Sequence, residues 1–568
     1  MTDWAGRARE RIDQPLRPEY SARRGPGPVP SIYCSVRRVH EIHQQACSCG
    51  DLCRSRFLFG LRRHGYRHGE GAGRRAYEGA FVVATNAKTK ISVSVLSDKQ
   101  GRYRVENLPA GDYRVTVRAV GFTADAHSGV ALTADQNISF DFPLKAGTVR
   151  WSDLNLYQGK TLMPAGKGKD ILSANCFVCH GFQTRMAAVR RDEDGWRDRI
   201  DYMRQAMAFQ LSARIDDAKA TELISYLNSV WGTDSTVPRS PAELPAYKDT
   251  VRPFSDDAMN IVYVEYDVSG SAGLPWSASP DKDGNFWIPY YGRGNEVARL
   301  NPNTGELTRF HLPFEETAGV HSVVRGSDGF VYFTEFALDR LAKLDPQTGK
   351  ITEFQENVVV PGERAGKHTV RVDGQGNLWS SGEPLSKYDQ EAGKFKQFME
   401  VPSSYGITFD KDGNVWFCVL KKDGKIGRID AKTEKVTQWS PPTQGTPQRL
   451  AIDSQGIVWF GERTGNKIGR FDPKTETFKE YPLPGPAATP YAMIVGKDNG
   501  IWYASTDQDL IGRLDPNTGK VVEYPFPHSE AMMREFFLDA QGRIWFATPT
   551  NNRVGYFYLT SNNERASK

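Results

Sequence analysis

The feature that most constrains the fold is a repeat that fills the second half of the chain, residues 257–561. Each copy has an apolar strand, an Asp-x-x-Gly turn, a strand with an aromatic marker and two further strands. The markers are Trp287, Tyr332, Trp379, Trp416, Trp459, Trp502 and Trp545. Four short strands in every ~40–50 residues are typical of β-propeller blades. Seven markers therefore predict seven blades.

The two ends of the repeat complement each other. The last copy, from Phe536 to Tyr558, lacks a fourth strand, and Ile261–Tyr266 is a lone strand ahead of the first copy. Because ring closure removes two exposed sheet edges, we expect this lone strand to pair with the last blade.

Several blade segments share an aromatic strand followed by an acid, Ser or Thr. The segments are Val331-Tyr332-Phe333-Thr334-Glu335, Val458-Trp459-Phe460-Gly461-Glu462 and Ile544-Trp545-Phe546-Ala547-Thr548, with Lys467-Ile468-Gly469-Arg470 and Asp515-Pro516-Asn517-Thr518-Gly519. They resemble the virginiamycin B lyase (streptogramin lyase) family. The resemblance implies elimination chemistry that opens a lactone ring, with a His base, acidic side chains and a magnesium ion at one mouth of the ring.

On this resemblance the candidate catalytic residues are His321, Glu335, His368 and Glu383. The later blades depart from the family pattern. Their His positions hold Tyr405, Arg449, Tyr491 and Arg534. The family's catalytic set belongs to those later blades, so a second interpretation stays open: the polar residues only line a wet central channel.

Cys176, Cys179 and His180 form a C-x-x-C-H motif ahead of the repeat. This spacing is typical of a covalently attached c-type haem, with the thiols on the porphyrin vinyl groups and the imidazole as proximal iron ligand. The alternatives are a structural zinc site and a redox-active pair of cysteines.

The flanks of this motif, residues 148–232, are predicted to be mostly helical and resemble small c-type cytochromes. That resemblance includes a Trp-x6-Met element, Trp196 to Met203, which favours Met203 as the distal iron ligand. Met207 lies one helical turn further and is the alternative ligand. An open sixth position is the third possibility.

Residues 77–147 alternate apolar and polar residues between Gly/Pro turns, which predicts strands. The run from Asp98 to Tyr103, with Leu108–Tyr113, resembles the carboxypeptidase regulatory-like domain, an immunoglobulin-like β-sandwich. We expect the first strand of that domain to be missing, since an Arg-rich head stands in its place. Residues 233–256 contain four prolines and are predicted to be a linker.

The head, residues 1–76, contains 15 arginines and no lysine. It has neither hydrophobic periodicity nor the apolar core of a signal peptide. We therefore predict a non-native start or, as the alternative, a disordered basic tail. Residues 562–568 are predicted to be a short tail.

The predicted fold class is mainly β and multidomain: a β-sandwich, a small all-α cytochrome c domain and a seven-bladed propeller. Beyond residue 76 the chain has 58 basic and 61 acidic residues, so no nucleic-acid partner is expected. No apolar run approaches the ~20 residues of a membrane span. Covalent haem attachment occurs outside the cytoplasm, which predicts a periplasmic or extracellular protein, although the given sequence has no export signal.

Three functions follow from these features. The first is extracytoplasmic electron transfer by haem c, with a propeller that binds a redox partner protein or a small-molecule ligand. The second is a lyase that acts on a cyclic ester with a His base and Mg²⁺. The third is a propeller dehydrogenase that passes electrons to the haem.

Overall fold

A computed structural model describes residues 55–63, 75–134, 136–357 and 365–560. All of these residues belong to one compact unit, Cys53–Lys568. This unit is mainly β, with a few helices between two groups of strands. None of the helices in the described ranges is long and apolar enough to cross a membrane.

The first group of strands precedes the helices. Its members are β1 (Ser55–Arg63), β2 (Arg75–Ala76), β3 (Phe81–Asn86), β4 (Ser92–Leu96), β5 (Arg102–Leu108), β6 (Gly111–Arg118), β7 (Phe122–Thr123), β8 (His127–Leu132), β9 (Asn137–Ile138) and β10 (Asp141–Ala146). One sheet has the order β2-β1-β10-β7, and β5 and β9 also pair with β1. Strands β4, β3, β6 and β8 belong to a second sheet. Buried residues such as Val82, Val105, Val115 and Leu144 fill the core.

Strand β1 lies within the head, whose domain is predicted to lack its first strand. It pairs with both β5 and β10. Residues 1–54 and 64–74 lie outside the described residues, so the expectations about the head stay predictions.

The helices follow in residues 151–232. They are α1 (Leu156–Leu162), α2 (Lys167–Asn175), α3 (Glu193–Ala206), α4 (Ala208–Leu211) and α5 (Asp217–Trp231), with a single π-helical turn at Gln183–Ala187. Asn155, Asp192 and Asp216 cap α1, α3 and α5, because each side chain accepts a backbone N–H of the first turn. The apolar faces pack around Trp196 and Trp231, which are buried. The predicted linker forms two short 3₁₀ turns, Pro241–Glu243 and Pro245–Thr250.

The second group of strands forms six separate sheets. The first sheet contains β12 (Gly273–Pro275), β13 (Ser279–Pro280), β14 (Phe286–Gly292), β15 (Glu296–Leu300) and β16 (Leu307–His311). The second and third contain β17 (Val320–Arg325), β18 (Val331–Glu335), β19 (Arg340–Leu344) and β20 (Ile351–Gln355), then β21 (Val370–Val372), β22 (Leu378–Ser380), β23 (Leu385–Asp389) and β24 (Lys394–Phe398).

The last three of these sheets have four strands each. The fourth contains β25 (Ser404–Phe409), β26 (Val415–Val419), β27 (Ile426–Ile429) and β28 (Val436–Trp439). The fifth and sixth contain β29 (Pro447–Ile452), β30 (Val458–Glu462), β31 (Lys467–Asp472) and β32 (Thr477–Pro482), then β33 (Pro490–Val495), β34 (Ile501–Ser505), β35 (Leu510–Leu514) and β36 (Val521–Pro525).

The Asp-x-x-Gly turn and the aromatic marker of the repeat are joined by a hydrogen bond. In the fifth sheet, Asp453 accepts the backbone N–H of Gln455 and Ile457 and also the indole N–H of Trp459, at 2.9 Å. The same Asp–Trp bond recurs around the ring, at Asp281–Trp287, Asp373–Trp379, Asp410–Trp416 and Asp539–Trp545. One carboxylate thus fixes the turn and the buried indole together.

The two ends of the repeat meet as predicted, but the sheet that they form is larger than a blade. It contains β11 (Ile261–Asp267), β37 (Phe537–Leu538), β38 (Ile544–Thr548) and β39 (Arg553–Leu559). Strand β11 pairs with β39 from Ile261 to Asp267, which confirms the predicted closure. The opposite edge of β11 pairs with β4, so the full order is β37-β38-β39-β11-β4-β3-β6-β8.

This shared sheet corrects the blade count. The propeller has six blades as separate sheets, not the predicted seven, because the seventh marker, Trp545, lies in the eight-stranded sheet that continues into the N-terminal domain.

Candidate functional site

The C-x-x-C-H motif lies in a tight turn after α2. Cys176 follows the last residue of α2, and its N–H donates to the Leu172 carbonyl. The N–H groups of Cys179 and His180 both donate to the Cys176 carbonyl, at 3.2 and 3.4 Å. As a result, all three motif side chains line the same predominantly apolar cavity, which we call the thiol cavity. Both thiols are free, and burial raises the pKa of Cys176 to about 12.

His180 is held in one orientation. Its Nδ1 lies 2.7 Å from the Gly181 carbonyl oxygen, so Nδ1 carries the proton and Nε2 keeps its lone pair. The side chain is buried, and burial is the main cause of the lowered pKa of His180. A neutral imidazole with a free Nε2 is the form that binds metals.

Both predicted distal ligands also line the thiol cavity. Met203 lies near the end of α3, and Met207 joins α3 to α4. Apolar walls come from Trp196, Ile200, Leu211, Ile215 and Leu227. Two free thiols, one imidazole and a thioether form the donor set of a c-type haem, so the residues fit the predicted group. Haem binding itself stays a prediction.

A second cavity, of about 550 Å³, lies at one mouth of the propeller. We call it the mouth cavity. The propeller contributes Trp276, Tyr291, His321, Phe336, His368, Glu383, Ser404, Tyr405, Gln448, Arg463, Tyr491 and Arg534, and the helical segment contributes Val178, Cys179, Phe209, Gln210, Ala213 and Arg214. Cys179, Gln210 and Tyr291 line both cavities, so the two sites adjoin.

His321 and His368 stand side by side in the mouth cavity, with their ring centroids 3.7 Å apart. The indole N–H of Trp276 donates to His321 Nε2 at 2.7 Å. Nδ1 of His368 lies 3.0 Å from the Thr369 hydroxyl. Burial lowers the pKa of both imidazoles well below the usual range, and the nearby cations Arg449 and Arg534 lower it further. Both rings are therefore neutral at pH 7.

The two predicted glutamates lie in different places. Glu383 lines the mouth cavity with the histidines and accepts a hydrogen bond from the Ser403 hydroxyl at 2.7 Å. Glu335 is fully buried, is not among the residues that line this cavity, and has Arg340 as its nearest cation, 3.8 Å away.

The sequence explains this difference between the glutamates. Glu335 is three residues after its marker, Tyr332, whereas Glu383 is four residues after Trp379. Glu335 is still the last residue of β18, whereas Glu383 lies beyond the end of β22, in the connection to β23. The structure therefore brings Glu383, but not Glu335, to the cavity that holds His368.

Two arginines contribute to the site although they are not among the predicted catalytic residues. Arg449 donates to Thr369 Oγ1 and to Glu535, each at 3.1 Å. Arg534 donates to the carbonyls of Val178 and Cys179, at 2.6 and 3.2 Å, and so joins the propeller to the C-x-x-C-H turn. Both occupy the repeat position that holds His in earlier blades, and that shared position is a signal for finding them in the sequence.

The described part of the chain contains no group of three or more His, Cys, Asp or Glu side chains that could hold a metal ion. In the mouth cavity, one carboxylate and two adjacent imidazoles do not form the oxygen-rich set that magnesium prefers. The residues present therefore do not fit the predicted Mg²⁺.

Two family models match parts of the chain. Residues 393–564 match the virginiamycin B lyase family, and residues 71–145 match the carboxypeptidase regulatory-like domain. Virginiamycin B lyase of Nocardia farcinica (strain IFM 10152) is 36% identical over 69 residues, which are 12% of this chain and 23% of that relative. The match thus spans about a quarter of the length of the curated relative.

Two solved structures are similar to the propeller region. A streptogramin B lyase is 26% identical, with 54% of this chain and all of that chain covered and a TM-score of 0.48. Selenomethionine-substituted virginiamycin B lyase from Staphylococcus aureus is 24% identical, with 53% of this chain and all of that chain covered and a TM-score of 0.47. The family models, which match residues 393–564 and 71–145, support a virginiamycin B lyase-like propeller and a carboxypeptidase regulatory-like domain, as both resemblances predict.

Proposed function

We propose that the mouth cavity is the active site of a lyase-type elimination on a small cyclic ester, with His368 as the general base. The observation that carries the proposal is the position of His368, a neutral imidazole in the cavity whose Nδ1 is held by Thr369. The similarity of residues 393–564 to virginiamycin B lyases supports the same reaction class.

The step needs only groups that line or adjoin the cavity. With the proton of His368 on Nδ1 and donated to Thr369 Oγ1, Nε2 can take a proton from a carbon next to a carbonyl group. The released electron pair forms a C=C bond with the neighbouring carbon, and the C–O bond of the ester breaks. The ester oxygen leaves as a carboxylate, and the imidazolium returns its proton to that carboxylate or to water.

Negative charge develops on the carbonyl oxygen during this step. Burial is the main cause of the low pKa of His368, and the charges of Arg449 and Arg534 lower it further. Arg534 lines the cavity and can stabilise an oxyanion there. No step is assigned to magnesium, since the residues do not fit it.

The test is ring opening of a neutral cyclic depsipeptide, followed by mass spectrometry in oxygen-labelled water. His368→Gln should lower the rate at least ~100-fold, because a positioned base typically contributes ~10²–10⁴-fold. His311→Gln is the matched control, since its side chain is 70% exposed on β16. An unchanged rate for His368→Gln, or incorporation of labelled oxygen into the product, would refute the elimination.

A second candidate function is favoured by the thiol cavity. We propose that Cys176 and Cys179 would hold a c-type haem outside the cytoplasm, with His180 Nε2 and the thioether of Met203 or Met207 available to bind its iron. The supporting observation is that all five residues line one apolar cavity. When bound, such a haem supplies one-electron transfer. The Gly181 carbonyl orients the imidazole, and the apolar walls exclude water from the ligands. A dehydrogenase that passes electrons to this haem stays an alternative.

The haem proposal is tested by expression in a bacterial periplasm that carries a haem-attachment system. The denatured protein should retain haem, and Cys176→Ser combined with Cys179→Ser should abolish that retention. Loss of the thioether–iron charge-transfer band in only one of Met203→Leu and Met207→Leu identifies the distal ligand. Haem-free protein with stoichiometric zinc would support the zinc alternative instead.

A further inference from the structure

The charge of the mouth cavity is unbalanced. Three arginines line it, Arg214, Arg463 and Arg534, against one carboxylate, Glu383. Within the described ranges, none of the three arginines has an ion-pair partner at 4.0 Å or less. Arg449, which lies behind the cavity wall, differs in this respect, because its charge is balanced by Glu535. The cavity therefore has an excess of positive charge.

Arg534 is the deepest of the three arginines, with 3% of its surface exposed. Its Nη2 is held by the carbonyls of Val178 and Cys179, whereas its Nε has no hydrogen-bond acceptor. The rings of Trp276 and Tyr491 flank the guanidinium, with centroids 4.8 and 5.1 Å from Cζ. A buried charge without a counter-charge costs free energy that a bound anion would recover.

The positive field reaches well into the cavity. Burial is the main cause of the low pKa of His321 and His368, and the charge of Arg534 lowers both pKa values further. Because Arg214 is exposed at the rim and Arg534 is buried, the field extends from the opening to the floor. This arrangement attracts anions and repels cations.

The other walls of the cavity are largely aromatic, namely Phe209, Trp276, Tyr291, Phe336 and Tyr405. Such surfaces favour a flat apolar body through offset and edge-to-face contacts. A volume of about 550 Å³ lies within the range of small-molecule pockets.

We propose that the mouth cavity binds an aromatic carboxylate, with the carboxylate on Arg534 and the ring between the aromatic walls. The inference concerns the same cavity as the proposed elimination but does not depend on that reaction. It defines the substrate, or the carboxylate product, as a small organic anion.

The test is isothermal titration of the full-length protein with benzoate, with uncharged benzamide and with cationic benzylamine. Benzoate should bind at least ~10-fold more tightly than benzamide, since a hydrogen bond to a charged group contributes ~1.5–3 kcal/mol and ~1.4 kcal/mol is tenfold. Benzylamine should not bind measurably. Equal affinity for benzoate and benzamide would overturn the proposal.

Variants distinguish the direct contact of the carboxylate with Arg534 from the long-range attraction by the other positive charges of the cavity. Arg534→Met should weaken benzoate binding ~10- to 100-fold without changing benzamide binding. Arg214→Gln removes an exposed charge, so it should weaken benzoate binding a few-fold and make that binding less dependent on salt. Arg299 lies over the Trp287 ring in the first blade. Arg299→Gln is therefore the matched control and should bind benzoate as tightly as the wild type.

A thermal melt shows whether Arg534→Met still folds. If it does not, Arg534→Lys tests the proposed contact with the carboxylate, because lysine keeps the positive charge but lacks the planar guanidinium that binds a carboxylate through two hydrogen bonds. Unchanged benzoate affinity in a folded Arg534 variant would refute the assignment. Failure of benzoate to bind while the neutral ester is still eliminated would remove this inference alone and leave the proposed function standing.

Discussion

Glu335 provides a sharp test of the electrostatics of the propeller. The side chain is fully buried at the end of β18, and neither carboxylate oxygen has a hydrogen-bond donor. Its nearest cation, Arg340, is 3.8 Å away and closer to Glu353, at 3.2 Å. Burial, followed by the charge of Glu353, raises the pKa of Glu335 to about 8. The native protein thus holds a proton on this carboxyl at neutral pH.

The sign of the pH dependence follows from proton linkage. An unfolded glutamate has its pKa near 4.5, so between pH 4.5 and about 8 the native state binds more protons than the unfolded state. The contribution of Glu335 to stability is complete below pH 4.5 and is lost as the pH rises towards 8. The upper limit of this loss is about 5 kcal/mol, at about 1.4 kcal/mol for each pH unit.

Replacing Glu335 with Gln should remove this dependence while keeping the size of the side chain. We expect Glu335→Gln to unfold at the same urea concentration as the wild type near pH 5 and at a higher concentration at pH 8. Urea titrations followed by tryptophan fluorescence at pH 5, 6, 7 and 8 measure the effect. Glu306→Gln, at an exposed position, is the control and should follow the wild type.

Glu462 offers an independent repeat of the experiment. It occupies the same position after its marker, is fully buried, and burial with the charge of Glu480 raises its pKa to about 8. Glu462→Gln should therefore flatten the pH dependence in the same direction. If neither variant changes the slope between pH 5 and 8, or if both lose stability at pH 8, these carboxyls are ionised in the native state and the reasoning is wrong.

Two further predictions concern blade packing, and both are measured by urea unfolding. A Cβ at Gly469 would lie 2.1 Å from the Phe460 ring, so Gly469→Ala should destabilise by at least ~1–3 kcal/mol. Gly374→Ala, with no atom within 4 Å, should stay within ~0.5 kcal/mol, and equal effects at the two sites would contradict the packing argument. Asp453→Ala removes the acceptor for two backbone N–H groups and for the Trp459 indole, and should cost ~2–4 kcal/mol. A loss below ~0.5 kcal/mol would show that the recurrent Asp–Trp bond does not stabilise the blades.

The candidate sites were only partly accessible from the sequence. The C-x-x-C-H spacing and a Met within one or two turns of Trp196 predict residues that line the thiol cavity together, because these contacts are nearly local along the chain. At the mouth, the candidates His321, His368 and Glu383 line one cavity, and Glu335 lies outside it. Glu335 ends β18 whereas Glu383 lies in the connection after β22, and the strand repeat alone does not show where such a connection places a side chain.

The contact between Arg534 and the C-x-x-C-H turn cannot be predicted from the sequence of a single blade. The repeat position of Arg534 is visible in the sequence, but its contact with the Cys179 carbonyl joins residues 355 positions apart. The adjoining of the two cavities depends on this docking of the helical segment over the propeller mouth, and no local pattern encodes it.

The strand repeat, the Asp-x-x-Gly turns and the pairing of the lone strand Ile261–Tyr266 with the last strands could be predicted from the sequence, because side-chain alternation and turn chemistry are local properties. The pairing of the opposite edge of β11 with β4 of the N-terminal domain is visible only in the tertiary structure. The physical reason is that strands pair through backbone N–H and C=O groups, which every residue except proline offers alike. The sequence of the repeat therefore does not show whether the last strands form a separate seventh blade or join a shared eight-stranded sheet.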